Sequence, residues 1–145
     1  MISRTKPPFN ADKAQALISV VIPAYNEADY IAETVSSVRT AALEVDGPVE
    51  IIVVDNNSSD DTAEIARSLG AKVVFEPVNQ IARARNSGAS FASGRYLVFV
   101  DADTRLQGDI LAKVAKNLAS GEVIGGGAWV EPDSGGIAHF LFKYL

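Results

Sequence analysis

The sequence contains no cysteine, so neither a disulfide framework nor a thiolate metal site can be built from it. Its single histidine, His139, excludes any centre that needs several imidazoles. No apolar run approaches the length of a membrane span. Residues 1–17, with Arg4, Lys6, Pro7, Pro8, Asp12 and Lys13, hold no apolar segment of the signal-peptide kind. Positive charge is in deficit, and the net charge of −5 argues against nucleic acid or an anionic membrane surface as the main partner. The expected compartment is the cytoplasm. An acidic chain that binds a phosphorylated ligand needs local help: a metal ion, a few arginines or helix N-termini.

What is present is the composition of a folded domain. With 48% hydrophobic and 21% charged residues the chain is not disordered, and 145 residues suffice for one core. We expect an irregular leader over residues 1–16, broken by Pro7-Pro8, and a single domain over 17–145. From Leu17 onwards β-type and α-type patterns alternate. Ile18–Ile22 is a β-branched run stopped by Pro23; Asn26 reads as the N-cap of an amphipathic helix over 27–43, with Ile31, Val35, Val38 and Ala42 inward. Val49–Val54 is a second strand ending in Asp55. Ser58 and Asp61 resemble a capping box before a helix bearing Ile65, Ala66 and Leu69, closed by Gly70. Lys72–Phe75 is a third strand, residues 79–93 a helix, and Arg95–Val100 a fourth, buried strand. Ile110, Leu111, Val114, Ala115 and Leu118 mark another helix, ended by Gly121. A further strand is expected around Ala128-Trp129-Val130 and an apolar helix over 137–145. This alternation predicts an α/β fold, a mainly parallel sheet with helices on both faces.

Such sheets bind ligands at the carboxyl ends of their strands. Three strand ends are polar here: Pro23-Ala24-Tyr25-Asn26-Glu27, Asp55-Asn56-Asn57 and Asp101-Ala102-Asp103. Two carboxylates one residue apart offer hard oxygens to Mg²⁺ or Mn²⁺, ions that complete their shells with water and substrate phosphates. Alone, Asp-x-Asp is better explained by turn and capping chemistry; its place after a strand, at an edge shared with two other polar strand ends, favours the metal. Asp55 is either a ligand acceptor or the start of an Asx-turn. Tyr25 either packs on a base or belongs to the core, and Glu27 is either a ribose or base acceptor or an acid at a helix start. Arg83 and Arg85 lie two apart and cannot share a helix face. Arg85, followed by Asn86 and Gly88, is the better partner for a diphosphate. His139 reads as a packed or surface residue, not a catalytic one, and Trp129 as structural, with the sugar side of the pocket as its alternative.

Four of these stretches, in this order, resemble the family 2 glycosyltransferases with the GT-A (Rossmann-like) fold: Ser19–Glu27, Val54–Thr62, Ala84-Arg85-Asn86-Ser87-Gly88 and Val100-Asp101-Ala102-Asp103. The resemblance covers residues 18 to about 130. It implies transfer of a sugar from a UDP- or GDP-sugar donor to an acceptor hydroxyl (saccharide, lipid or other), with inversion at the anomeric centre and a Mn²⁺ or Mg²⁺ cofactor. It further implies that Pro23, Ala24, Tyr25 and Glu27 border the base and ribose, that Asp55 binds the base, and that Arg85 lies near the nucleotide. Asp101 would contact the donor and the metal shell, and Asp103 would ligate the metal. Asn56-Asn57 stands where the family often has Asp-Gly, a change that a positive φ at asparagine accommodates. No match to the family's Glu-Asp base motif is present, so the catalytic base is unassigned and the domain reads as truncated at its C-terminal end.

The competing readings are a nucleotide-sugar-binding module, or an inactive fragment without the base, and, more distantly, a nucleotidyltransferase. The last class often has a glycine- and basic-rich loop after its first strand, which Pro23–Glu27 does not supply. The apolar Phe140–Leu145 end suggests an oligomer or membrane contact.

Overall fold

The computed structural model describes residues 16–127. In chain order they form β1 (Ala16–Ala24), α1 (Ile31–Ala42), β2 (Val49–Asp55), α2 (Thr62–Ser68), β3 (Lys72–Phe75), α3 (Ile81–Phe91), β4 (Gly94–Phe99) and α4 (Ile110–Ala119). The strands make one sheet in the order β3-β2-β1-β4, parallel at every pairing. The chain winds outward from β1 through β2 to β3, then returns to lay β4 on the other side of β1. The winding direction therefore reverses between β1 and β4, and a crevice opens there at the carboxyl edge.

The two inner strands are covered on both faces, which is why they read as continuous β-branched runs instead of alternating patterns. Ile18, Val20 and Ile22 of β1 pack with Ile31, Val35, Val38 and Ala41 of α1, Ala66 of α2 and Leu111 of α4. Val21, Ile52, Val54 and Val74 meet Ala84 of α3 on the opposite face. Gly88 brings α3 close on that side: a Cβ there would lie 2.3 Å from Val21 Cγ1 and 2.8 Å from Val54 Cγ2.

Several local expectations shift. Strand β1 runs through Pro23 to Ala24. The Val21 carbonyl faces β4, where it accepts from the Val100 amide at 3.0 Å, and Pro23, two residues on, faces the same way. Pairing between β1 and β4 ends at Val21–Phe99, so the N–H that proline lacks is not needed by the ladder. β4 is half-buried, not buried: Tyr96 and Val98 pack on the α1 side, while Leu97 and Phe99 are exposed at 39% and 43%. Asn26 is not an N-cap. It has φ +54°, and α1 begins four residues later than expected, behind Tyr30. Ser58 does not cap α2 either, because its hydroxyl accepts the Asn26 amide at 3.0 Å. The expected strand at 128–130, the helix at 137–145, Trp129 and His139 lie outside the described residues.

At the amino edge, a buried polar knot starts β4. Ser19, fully buried, donates its hydroxyl to Glu50 Oε1 and accepts the Gly94 amide at 2.7 Å. The Ser93 amide also donates to Glu50, at 2.6 Å. Burial opposes the ionised form of Glu50, but the bonds from Ser19 and Ser93 and the charge of Lys72 outweigh it and hold the carboxyl below its ordinary 4.5.

Candidate active site

The crevice between the ends of β1 and β4 has a volume of about 350 Å³. It is lined by Pro23, Ala24, Tyr25 and Glu27 from the first strand end, Asn56 from the second, Ile81 from α3, and Asp101, Ala102 and Asp103 from the fourth. A somewhat larger hollow at the amino edge, about 430 Å³ between α1, β2 and the start of β3, contains none of these residues. We place the site at the carboxyl edge, where the strand ends bring the carboxylates of Glu27, Asp101 and Asp103 together.

The loops that form the crevice are stitched across the β1–β2 gap. The Glu27 amide donates to Thr62 Oγ1 at 2.8 Å and the Ala28 amide to Asp60 Oδ2 at 3.1 Å. In return, Asn26 Oδ1 accepts the Ser59 amide at 2.8 Å. The Asn26 side chain, which an N-cap would turn to the first-turn amides of its own helix, is instead taken by Ser59, and its positive φ is not that of a cap, so no helix starts at Glu27. Asn57, with φ +65°, makes the turn that the sequence required of it.

Asp55 is buried, and its Oδ1 accepts the Ser58 amide at 3.0 Å, an Asx-type turn; it does not line the crevice. The neighbouring Asn56 does, and the sequence reading had given it no role beyond the turn. Its side-chain amide donates to the carbonyls of Glu76 (3.2 Å) and Val78 (2.6 Å), and its Oδ1 accepts the Gln80 amide at 3.0 Å. One asparagine thus satisfies three backbone groups of the loop that leads into α3 and carries Ile81 to the crevice. Ile81 is 55% exposed there. The two arginines separate as their spacing requires. Arg83 pairs with Glu76 at 3.3 Å, and Arg85 reaches Asp101 Oδ1 at 2.9 Å with its guanidinium 6.0 Å from the centre of the Phe99 ring. Arg85 Nε is buried without a hydrogen-bond partner among the described residues.

Negative charge is concentrated in the crevice. Burial of Glu27, and then the charges of Asp103 and Asp60, hold its carboxyl above the ordinary 4.5. Among the described residues no group of three or more His, Cys, Asp or Glu side chains is placed to hold a metal ion alone. Two exposed aspartates with no further protein ligand among the described residues suit a hard divalent cation that completes its shell with waters and phosphates. Hard carboxylate oxygens of this kind fit Mn²⁺ or Mg²⁺.

The opposite shifts of Glu27 and Glu76 give a pH prediction. Glu76 lies below its ordinary 4.5 because the Ser87 hydroxyl and the Val78 amide donate to it, against burial, with help from Arg83. A carboxyl lowered in the fold contributes stability that is complete above its unfolded pKa and is lost as pH falls through the folded value. Glu50 behaves likewise, whereas the raised Glu27 works in reverse, contributing below 4.5 and losing that contribution as pH rises through its folded value. The urea midpoint should therefore fall on acidification below about pH 4.5, with a shallower fall in Glu76→Gln. Identical acid limbs for wild type and variant would refute the role of Glu76.

A parallel doubly wound sheet with an acidic, arginine-flanked crevice at its switch point defines an α/β protein of the Rossmann-like class. The profile of Glycosyl transferase family 2 matches residues 19–141, and the chain belongs to that family. The glycosyltransferase AglE of Haloferax volcanii is 38% identical over 92 residues, covering 59% of this chain and 30% of its own. Staphylococcus aureus TarS 1–349, solved in complex with UDP-GlcNAc, superposes with a TM-score of 0.62 at 28% identity, covering 79% of this chain and 37% of that one. The mannosyltransferase PcManGT from Pyrobaculum calidifontis, solved with GDP-Man and Mn²⁺, gives 0.63 at 29% identity, with 79% and 36% covered. The fold is that of the GT-A glycosyltransferases. The chain spans 40% or less of the length of the first curated relatives it matches.

Proposed function

We propose that these residues form the donor site of a glycosyltransferase that moves a sugar from a nucleoside-diphosphate sugar, UDP- or GDP-linked, to an acceptor hydroxyl. The observation that carries this reading is the crevice itself. Pro23, Ala24, Tyr25, Glu27 and Asn56, from the ends of β1 and β2, line it together with Asp101 and Asp103 from beyond β4. The Tyr25 ring, 47% exposed, offers a stacking surface for the base, and Glu27 offers an acceptor to ribose hydroxyls. Asp55, buried beside Asn56, fixes the turn that follows β2. Arg85, with an unpaired Nε, stands where it can transfer from Asp101 to a phosphate oxygen. Asp101 and Asp103 would hold a divalent cation that, when bound, offsets charge growing on the departing diphosphate. In an inverting displacement the acceptor oxygen bonds to the anomeric carbon as its bond to the diphosphate breaks, and the acceptor proton passes to a general base. None of the described residues is assigned as that base. That PcManGT was solved with GDP-Man and Mn²⁺, and TarS with UDP-GlcNAc, supports this reading.

Isothermal calorimetry with UDP and with GDP, each with Mn²⁺ and with EDTA, tests it. One nucleotide should bind, more tightly with Mn²⁺. Absence of binding for both nucleotides would overturn the proposal.

A further inference from the structure

The backbone between Asp101 and Asp103 lies beyond the end of β4, so the sheet does not fix it. Hydroxyls of α1 do. Thr34, on the buried face of α1 and 1% exposed, has its Oγ1 2.6 Å from the Ala102 carbonyl and 3.3 Å from that of Tyr30. A hydroxyl has one proton to give, and the shorter contact takes it. One turn on, Ser37 donates to the Thr34 carbonyl at 2.8 Å and accepts the Leu106 amide at 3.0 Å. Arg105 pairs with Glu33 on the same helix. Ala102 is itself buried, at 4%, while the aspartates on either side are exposed. Its carbonyl thus points into the protein and needs a donor there. A valine would fill the Thr34 position as well by shape, next to Ile31, Val35 and Val38, and would leave that carbonyl unpaired.

We infer that Thr34, with Ser37, is a positioning residue for the donor site: the hydroxyls of α1 hold the loop over residues 102–106 so that the Asp101 and Asp103 carboxylates both face the crevice. This rests on the donor-site reading above. Neither residue touches the donor; they act through the backbone of the loop, as outer-shell partners orient metal ligands elsewhere.

The test compares wild type, Thr34→Val, Thr34→Ser and Ser37→Ala as the full chain. The readout is the ratio of nucleotide affinity with Mn²⁺ to that with EDTA, using whichever of UDP or GDP binds. Thr34→Val should lower this ratio about 10- to 100-fold, the range for loss of an outer-shell partner, with metal-free affinity unchanged and Thr34→Ser restoring the ratio. In the metal-free protein, amide exchange at Thr104 and Leu106 should accelerate in Thr34→Val and in Ser37→Ala. If Thr34→Val does not fold, Ser37→Ala carries the same expectation on both readouts. A ratio equal to wild type in a folded Thr34→Val protein, or no recovery in Thr34→Ser, would overturn this inference and leave the donor site standing. Wild type that binds neither nucleotide would bring down both.

Discussion

Asp103→Ala should reduce Mn²⁺-dependent binding of the nucleotide by about 100-fold or more, beyond the 10- to 100-fold typical of a lost outer-shell partner, because it removes a ligand itself. Asp103 is exposed, so its loss should leave the fold nearly as stable as before, within about 0.5 kcal/mol. The metal-free affinity should change little or rise, since a negative charge next to the diphosphate has been removed. A second, independent consequence lies in Glu27. The charge of Asp103 helps to hold that carboxyl above 4.5, so the substitution should bring its titration midpoint down towards the ordinary value, measurable by NMR. Wild-type-like Mn²⁺ dependence in the variant would sink the metal assignment. An unchanged Glu27 midpoint would show that the two carboxylates do not share the crevice.

The second large effect is on stability. Gly88→Ala should cost about 3 kcal/mol, at the upper end of the penalty for overpacking a core. The new Cβ would lie 2.3 Å and 2.8 Å from methyl groups of Val21 and Val54, both fully buried β-strand side chains with no room to retreat. Helix propensity acts in the other direction, since alanine is favoured over glycine by about 1 kcal/mol, but it offsets only part of the clash. The melting temperature should fall by about 10 °C. If α3 instead lifts off the sheet, Arg85 moves with it, and the 2.9 Å contact with Asp101 is lost. Stability equal to or above wild type would mean that the glycine is not there for close packing.

The motif Ala84–Gly88 shows how far sequence reading reaches. Spacing alone sent Arg83 and Arg85 to different faces, and the structure pairs them with Glu76 and Asp101. The reason for the glycine was invisible, because it depends on which strand methyls lie beneath the helix. Asn56 was missed for a similar reason. Its side chain satisfies backbone groups 20 to 24 residues away. Nothing in its neighbourhood announces that, although an asparagine directly after a strand-end aspartate was a place to look.

The sequence by itself determined the order and kind of the elements, since β-branched runs and helical spacing are local properties. It also determined which residues stand at the strand ends, where Pro23–Glu27, Asp55-Asn56-Asn57 and Asp101–Asp103 could be read directly. Only the tertiary structure decided how those ends meet. The reversal of winding that lays β4 against β1 opens the crevice, and pairings across 32 to 35 residues bind the Asn26–Ala28 amides and the Asn26 side chain to the loop after β2, so that Asn26 does not cap the helix as local rules predict. The Thr34 hydroxyl likewise finds its carbonyl 68 residues away. A backbone amide or carbonyl bonds to whatever partner the assembled sheet places beside it, and no local pattern of side chains encodes that neighbour.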